Sequence, residues 1–169
     1  MCKSLALVFI FSLPTLAQIS ADTLYAKGLR ACLEKEVASY SKFSSRDLRN
    51  VIVVKDDKLT EGLPFQLGEI KVQYLSGDQL ALAYKNRSTE KKNERREIPI
   101  IELIPIHDNE GKLYFAYKNY WFSYSEKGGF FTQKKRVFGF ALEGGCHAEI
   151  GFDEVEKRFV IGKVELWGI

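Results

Sequence analysis

Residues 136–169 read RVFGFALEGGCHAEIGFDEVEKRFVIGKVELWGI, and the alternation of apolar and polar residues in them decides the fold. From Cys146 onward the period is two: Cys146, Ala148, Ile150 and Phe152 take one face of a strand, and His147, Glu149, Gly151 and Asp153 take the other. The polar turn DEVEK leads into a second run, in which Phe159 and Ile161 share a face. Val164 and Leu166 continue that face only if the phase slips at Gly162, as a β-bulge at a glycine allows. The two runs then pair as an antiparallel hairpin. Ile150 with Ile161, Ala148 with Val164 and Cys146 with Leu166 lie inside, and Glu149 with Lys163 and His147 with Glu165 lie outside, all chemically sensible cross-strand neighbours. Gly144-Gly145 reads as the turn that leads into this hairpin.

Upstream of it, residues Tyr114 to Phe131 hold nine of the chain's 22 aromatics. Tyr120, Phe122 and Tyr124 share one phase and Trp121 and Ser123 the other, so a strand with one face in the core still displays either Trp121 or the tyrosines. Ile98 to Ile106 is apolar on both faces apart from Glu102. With Pro99 and Pro105 removing ladder donors, it is expected at a sheet edge or between two packed layers. His107 to Gly111 reads as the turn after it. Ile70, Val72 and Tyr74, then Ser76-Gly77-Asp78, then Leu80, Leu82 and Tyr84 read as a second hairpin. Lys85 to Glu97, with no apolar residue, reads as a solvated loop tip. Asn50 to Val54 is a β-branched strand, followed by a loop through Gly62 and Pro64.

Nearer the N-terminus, Leu29, Leu33, Val37 and Tyr40 recur at helical spacing, with Tyr25 and Cys32 on the same stripe and Lys27, Arg30, Glu34 and Ser41 facing away. Asp22 or Thr23 is placed to cap this helix, and Gly28 weakens its first turn by about 1 kcal/mol relative to Ala. Residues 1–21, MCKSLALVFIFSLPTLAQISA, have a short basic start, an apolar run and small residues before Ala21, the layout of a secretory signal peptide. Its apolar run is shorter than the roughly 20 residues a membrane helix needs. Cleavage after Ala21 leaves residues 22–169 as one secreted domain, with no stable membrane insertion and a periplasmic or extracellular location.

Of the three cysteines, Cys2 leaves with the leader. In an oxidising compartment Cys32 and Cys146 are expected to form a disulfide, closing a loop worth about 4 to 5 kcal/mol on chain entropy. The pairing is geometrically reasonable, because Cys32 lies on the buried stripe of the helix and Cys146 on the buried face of a strand. Together these readings predict an α+β domain: an N-terminal helix on a curved antiparallel sheet of about six to eight strands. A β-sandwich or barrel carrying one helix is the alternative.

Composition narrows the function. Loss of Lys3 leaves 24 basic against 22 acidic residues, too balanced for nucleic-acid binding. Cys146 and His147 are neighbours on a strand and point to opposite faces, so His147 cannot activate the thiol. Cys32, Cys146, His107 and His147 lack the spacing of a zinc site, and no cofactor motif is present. The aromatic segment is the best candidate site, with Tyr114, Tyr117, Tyr120, Trp121 and Tyr124 offering rigid contact area to a protein partner. Complete burial of both its faces is the competing reading. The expected function is an exported non-enzymatic binding module, for example one that neutralises a hydrolase or toxin in a bacterial envelope. The alternative is a small exported hydrolase, with two carboxylates drawn from Glu102, Glu143, Glu149 and Glu165.

Overall fold

The computed structural model describes residues 13–40, 49–90, 97–128 and 135–168; the side chains of 13–22, 40 and 88–90 lie outside that description, as do residues 1–12 of the expected leader and the far part of the expected loop at 91–96. Two helices and seven strands make an α+β fold. In chain order they are α1 (Leu13–Tyr40), β1 (Asn50–Val54), β2 (Gln66–Leu67), β3 (Ile70–Leu75), α2 (Gly77–Glu90), β4 (Ile98–Asn109), β5 (Lys112–Lys127), β6 (Lys135–Asp153) and β7 (Arg158–Trp167). The strands form a single sheet in the order β2-β3-β1-β4-β5-β6-β7, which is not closed.

The terminal hairpin has the expected register: Cys146↔Leu166, His147↔Glu165, Ala148↔Val164 and Ile150↔Ile161, with the slip between Ala148 and Ile150 opposite Gly162. The expected pairing of Glu149 with Lys163 does not form, because the bulge takes both out of register. Glu149 instead binds Lys112 on β5, and Lys163 binds Glu165 on its own strand. Phe152 is exposed rather than inside, packed edge-on against Phe159. Gly144 and Gly145 are not a turn. They lie within β6 beside a second bulge, where the register jumps from Asn119↔Gly144 to Tyr120↔Leu142. A Cβ at Gly145 would collide with the β5 backbone and the Trp167 ring, so glycine is what lets β5, β6 and β7 close up there.

Three further expectations are corrected. Leu80, Leu82 and Tyr84 are not a strand: they belong to α2, which also takes in Lys85 to Glu90 of the expected loop. The sheet is not antiparallel throughout, since β1 runs parallel to both β3 and β4. A helix between β3 and β4 carries the chain back to the starting end, and the loop and short β2 at 55–69 do the same between β1 and β3. Finally, α1 begins at Leu13, so Asp22 and Thr23 lie inside it and do not cap it. Pro14 falls in its first turn, where a missing N–H costs nothing, and no breaker follows before Gly28.

The two helices cover opposite faces of the sheet. Leu24, Leu29, Cys32 and Leu33 of α1 pack with Val51, Val53, Ile101, Leu103, Phe115, Tyr117, Cys146, Ala148 and Ile150. Leu80 and Ala81 of α2 pack with the alternate positions Ile52, Val54, Ile98, Ile100, Phe122 and Tyr124. This explains why β4 is apolar on both faces: it runs between two helical layers, and is not an edge. Its contact with β1 is short, registered at Val53↔Ile101, so its prolines remove few ladder bonds. Pro105 sits where the β4–β5 register slips, and the Ile106 N–H freed nearby donates to the Tyr25 hydroxyl of α1 at 2.9 Å. His107 remains in β4, opposite Tyr114, and the turn itself is Glu110-Gly111. Cys32 and Cys146 form a buried disulfide, their Cα atoms 5.9 Å apart, joining α1 to the sheet.

Candidate functional site

β5 carries all five aromatic residues expected to bind a partner, and its pleat sends them to two faces. Tyr117 is wholly buried on the α1 side. Its hydroxyl donates to Glu36 at 2.6 Å, and Asn119 Nδ2 donates to the other oxygen of that carboxylate at 3.0 Å. Tyr117 is therefore a core residue that anchors α1, and it presents no surface to a partner. Trp121 lies on the same face four residues further on, half-buried between Pro99 and Ala141 in the register. Tyr114, Tyr120 and Tyr124 take the opposite face. Tyr114 sits at the far end of it, stacked on His107 and edge-on to His147. His147 in turn meets Glu165 at 2.9 Å.

Tyr120 and Tyr124 converge with residues that the sequence reading passed over. The even-numbered residues of β6 stand beside them: Phe140 pairs with Phe122, Phe138 with Tyr124 and Leu142 with Tyr120. Rings meet at 5.6 Å for Phe122 with Phe140 and for Tyr124 with Phe138, and at 6.1 Å for Tyr120 with Phe140. Beneath this layer Phe122 is fully buried, and Tyr124 nearly so under α2. Above it, Phe138 is 38% exposed, Phe140 55% and Leu142 56%, while Leu82 of α2 is 59% exposed. The overlooked signal is the alternation Arg136, Phe138, Phe140, Leu142. By number it is in phase with Cys146 and Ala148, but the bulge at Glu143 turns the strand over and puts it on the opposite face.

Charged groups border these apolar side chains. A groove of about 210 Å³ between α2 and the sheet is lined by Asp78, Ala81, Leu82, Lys85, Tyr124 and Arg136. Arg136 spans it to Asp78 at 2.5 Å, and Lys85 reaches Glu126 at 2.6 Å with its ammonium 5.2 Å from the centre of the Tyr124 ring. Tyr124 donates to Glu126 at 2.7 Å, and this bond to the carboxylate raises the pKa of its phenol above the ordinary value. Glu126 also holds the Lys85 ammonium above its ordinary range. Burial, then the hydrogen bond to Glu102, raises the Tyr120 phenol. Both tyrosines are therefore neutral hydrogen-bonding groups at physiological pH.

Three of the four carboxylates named for hydrolysis have basic or phenolic partners. Glu102 is engaged with Tyr120, Glu149 with Lys112, and Glu165 with Lys163 and His147. Lys163 and His147 hold the Glu165 carboxyl below its usual range, the direction of an ion-pair partner and not of a general acid. Among the described residues no group of three His, Cys, Asp or Glu side chains is placed to hold a metal ion, and no helix is long and apolar enough to cross a membrane. Comparison with protein-family models, with characterised proteins and with solved structures gives no match.

Proposed function

We propose that this chain is an exported, non-enzymatic binding module that engages another protein through the α2 side of β5 and β6. One observation carries the reading: Leu82, Phe138, Phe140 and Leu142 expose large apolar side chains over a rigid aromatic layer, bordered by the ion pairs of Arg136 and Lys85. Contiguous apolar surface with a polar rim is the usual composition of a protein interface. Aromatic side chains on a paired strand lose little entropy when covered, which favours them as anchors. The buried disulfide is compatible with export and ties α1 to β6. An envelope inhibitor or immunity-type role fits such a surface, because blocking an enzyme needs area and shape and no chemistry of its own.

The test is affinity capture from envelope or extracellular extracts, comparing the wild type with Phe140→Ser and with Trp121→Ala on the opposite face. A partner captured by the wild type and by Trp121→Ala, but lost with Phe140→Ser, is the expected result. Loss on Trp121→Ala alone would move the interface to the α1 side, and capture indifferent to both would overturn the proposal.

A further inference from the structure

Beside the apolar strip, the groove between α2 and the sheet holds a cation whose bonding capacity is mostly unused. Arg136 and Glu126 are cross-strand neighbours in the β5–β6 register, yet Arg136 reaches away from Glu126 and across the groove to Asp78. It does so through Nη1 alone, and among the described residues no other acceptor meets its guanidinium. A guanidinium carries several donors in a planar fork that matches the two oxygens of a carboxylate. Lys85 lines the same groove from α2, with its ammonium over the Tyr124 ring. The hydrogen bond to Glu126 raises the Lys85 pKa and the charge of Arg136 opposes it, so the two cations are near enough to feel each other.

Asp78 holds Arg136 only loosely. Their side chains are 78% and 61% exposed, and ion pairs in that position contribute little. Asp78 also lies in the first turn of α2, where the helix field favours a carboxylate with or without Arg136. A second carboxylate can therefore join or replace it on the fork at small cost. A doubly charged anion such as phosphate is disfavoured, because Asp78 and Glu126 already sit beside the two cations.

The rest of the lining is apolar: Ala81, Leu82 and the Tyr124 ring. At about 210 Å³ the groove is smaller than the roughly 300–1,000 Å³ of a drug-sized pocket, so it suits a single residue. That residue has to offer a carboxylate to Arg136 and an apolar side chain to Leu82 together. Aspartate and glutamate inside a chain carry no apolar group beside the carboxylate, whereas an apolar residue at the end of a chain carries both on one Cα.

We infer that the groove receives the C-terminal residue of the partner protein, its carboxylate on the Arg136 guanidinium beside Lys85 and its apolar side chain against Leu82. This rests on the interface proposed above and names the group that enters it. Phe138, packed on Tyr124, joins the groove to the exposed strip, so a chain leaving the groove continues over Phe140 and Leu142.

Chemical-shift titration of the isotope-labelled protein tests it with acetyl-Ala-Ala-Leu bearing a free carboxylate, the same peptide as its amide, and acetyl-Leu-Glu-Ala-amide with its carboxylate inside the chain. The free-carboxylate peptide is expected to shift the amides of Ala81, Leu82 and Arg136, and to bind roughly tenfold more tightly than its amide. Arg136→Gln should remove that preference, and Asp78→Asn, which takes away the competing carboxylate, should strengthen it. Dispersed spectra of both variants show that they remain folded. Equal binding of acid and amide, tighter binding of the internal glutamate, or no binding of any peptide up to millimolar concentration would overturn the inference. Leu82→Ser separates this from the wider interface: if it weakens acid and amide alike while Arg136→Gln weakens neither, the apolar surface stands and the terminal carboxylate does not.

Discussion

Glu36 is the residue whose role depends most on its surroundings. It occupies the buried stripe of α1, between positions held by leucine and valine, and is completely inaccessible. A buried carboxylate is tolerated only where donors meet it, and Tyr117 and Asn119 supply two. Glu36→Ala should destabilise the fold by about 2–4 kcal/mol, since it leaves a phenol and an amide without their acceptor in the core. Glu36→Gln keeps an acceptor and should cost less; urea denaturation of the two variants gives the comparison. Tyr74 makes a different kind of contact, donating to the Pro64 carbonyl at 3.0 Å. Burial raises its phenol from 10.0 to about 12. The neutral form is therefore the one the fold favours. Its contribution is complete below pH 10, and is lost as pH rises through the folded value near 12. Between those limits the wild type should lose more stability than Tyr74→Phe in parallel denaturant titrations. Neither role was legible in the sequence. Glu36 breaks an apolar stripe without showing what receives it, and Tyr74 looks like any alternating strand residue.

Among the elements, the terminal hairpin and β1 were readable because period-two alternation and β-branching leave few alternatives. α2 was not, because Leu80, Leu82 and Tyr84 alternate as a strand would, while Leu80, Ala81 and Tyr84 also fit one face of a helix. The deciding signal was local: Ser76-Gly77-Asp78-Gln79 is a capping box. The Gln79 side chain accepts from the Ser76 N–H at 2.9 Å, and the Ser76 hydroxyl from the Gln79 N–H at 3.4 Å. Misreading α2 concealed the parallel strands and the second layer, and with them the surface at Leu82. The binding strip on β6 was hidden by its bulge, which moves Phe138, Phe140 and Leu142 to the face opposite Cys146. Gly28 was legible as a helix-weakening residue but not for its purpose. A Cβ there would run into the ring of Phe115, so the glycine sets how closely α1 approaches β5. Gly28→Ala should therefore destabilise the protein by about 1–3 kcal/mol through overpacking, although alanine is the better helix former by about 1 kcal/mol. Combining it with Phe115→Leu should recover part of the loss, a coupling that a double-mutant cycle measures directly.

Over the whole molecule, the Cys32–Cys146 bond is the one covalent link that crosses between layers. It joins residues 114 apart in sequence, from a helix near the start of the described chain to the strand that carries both the terminal hairpin and the exposed strip. Closing so long a loop restricts the unfolded chain by about 4 to 5 kcal/mol on the chain-entropy account. At this chain length each kcal/mol moves the melting temperature by about 2–4 °C, so Cys32→Ser/Cys146→Ser should melt roughly 10–20 °C below the wild type. Both sulfurs are buried, so mild reductant added to the folded protein should act slowly, and the full effect should appear only after unfolding in its presence. The purified protein, unfolded without reductant, should show no free thiol from this pair. Two reactive thiols, or a melting temperature unchanged in the double variant, would remove the staple from the account of stability. The α1 layer would then be held by the apolar stripe and by the hydrogen bonds of Glu36 and Tyr25.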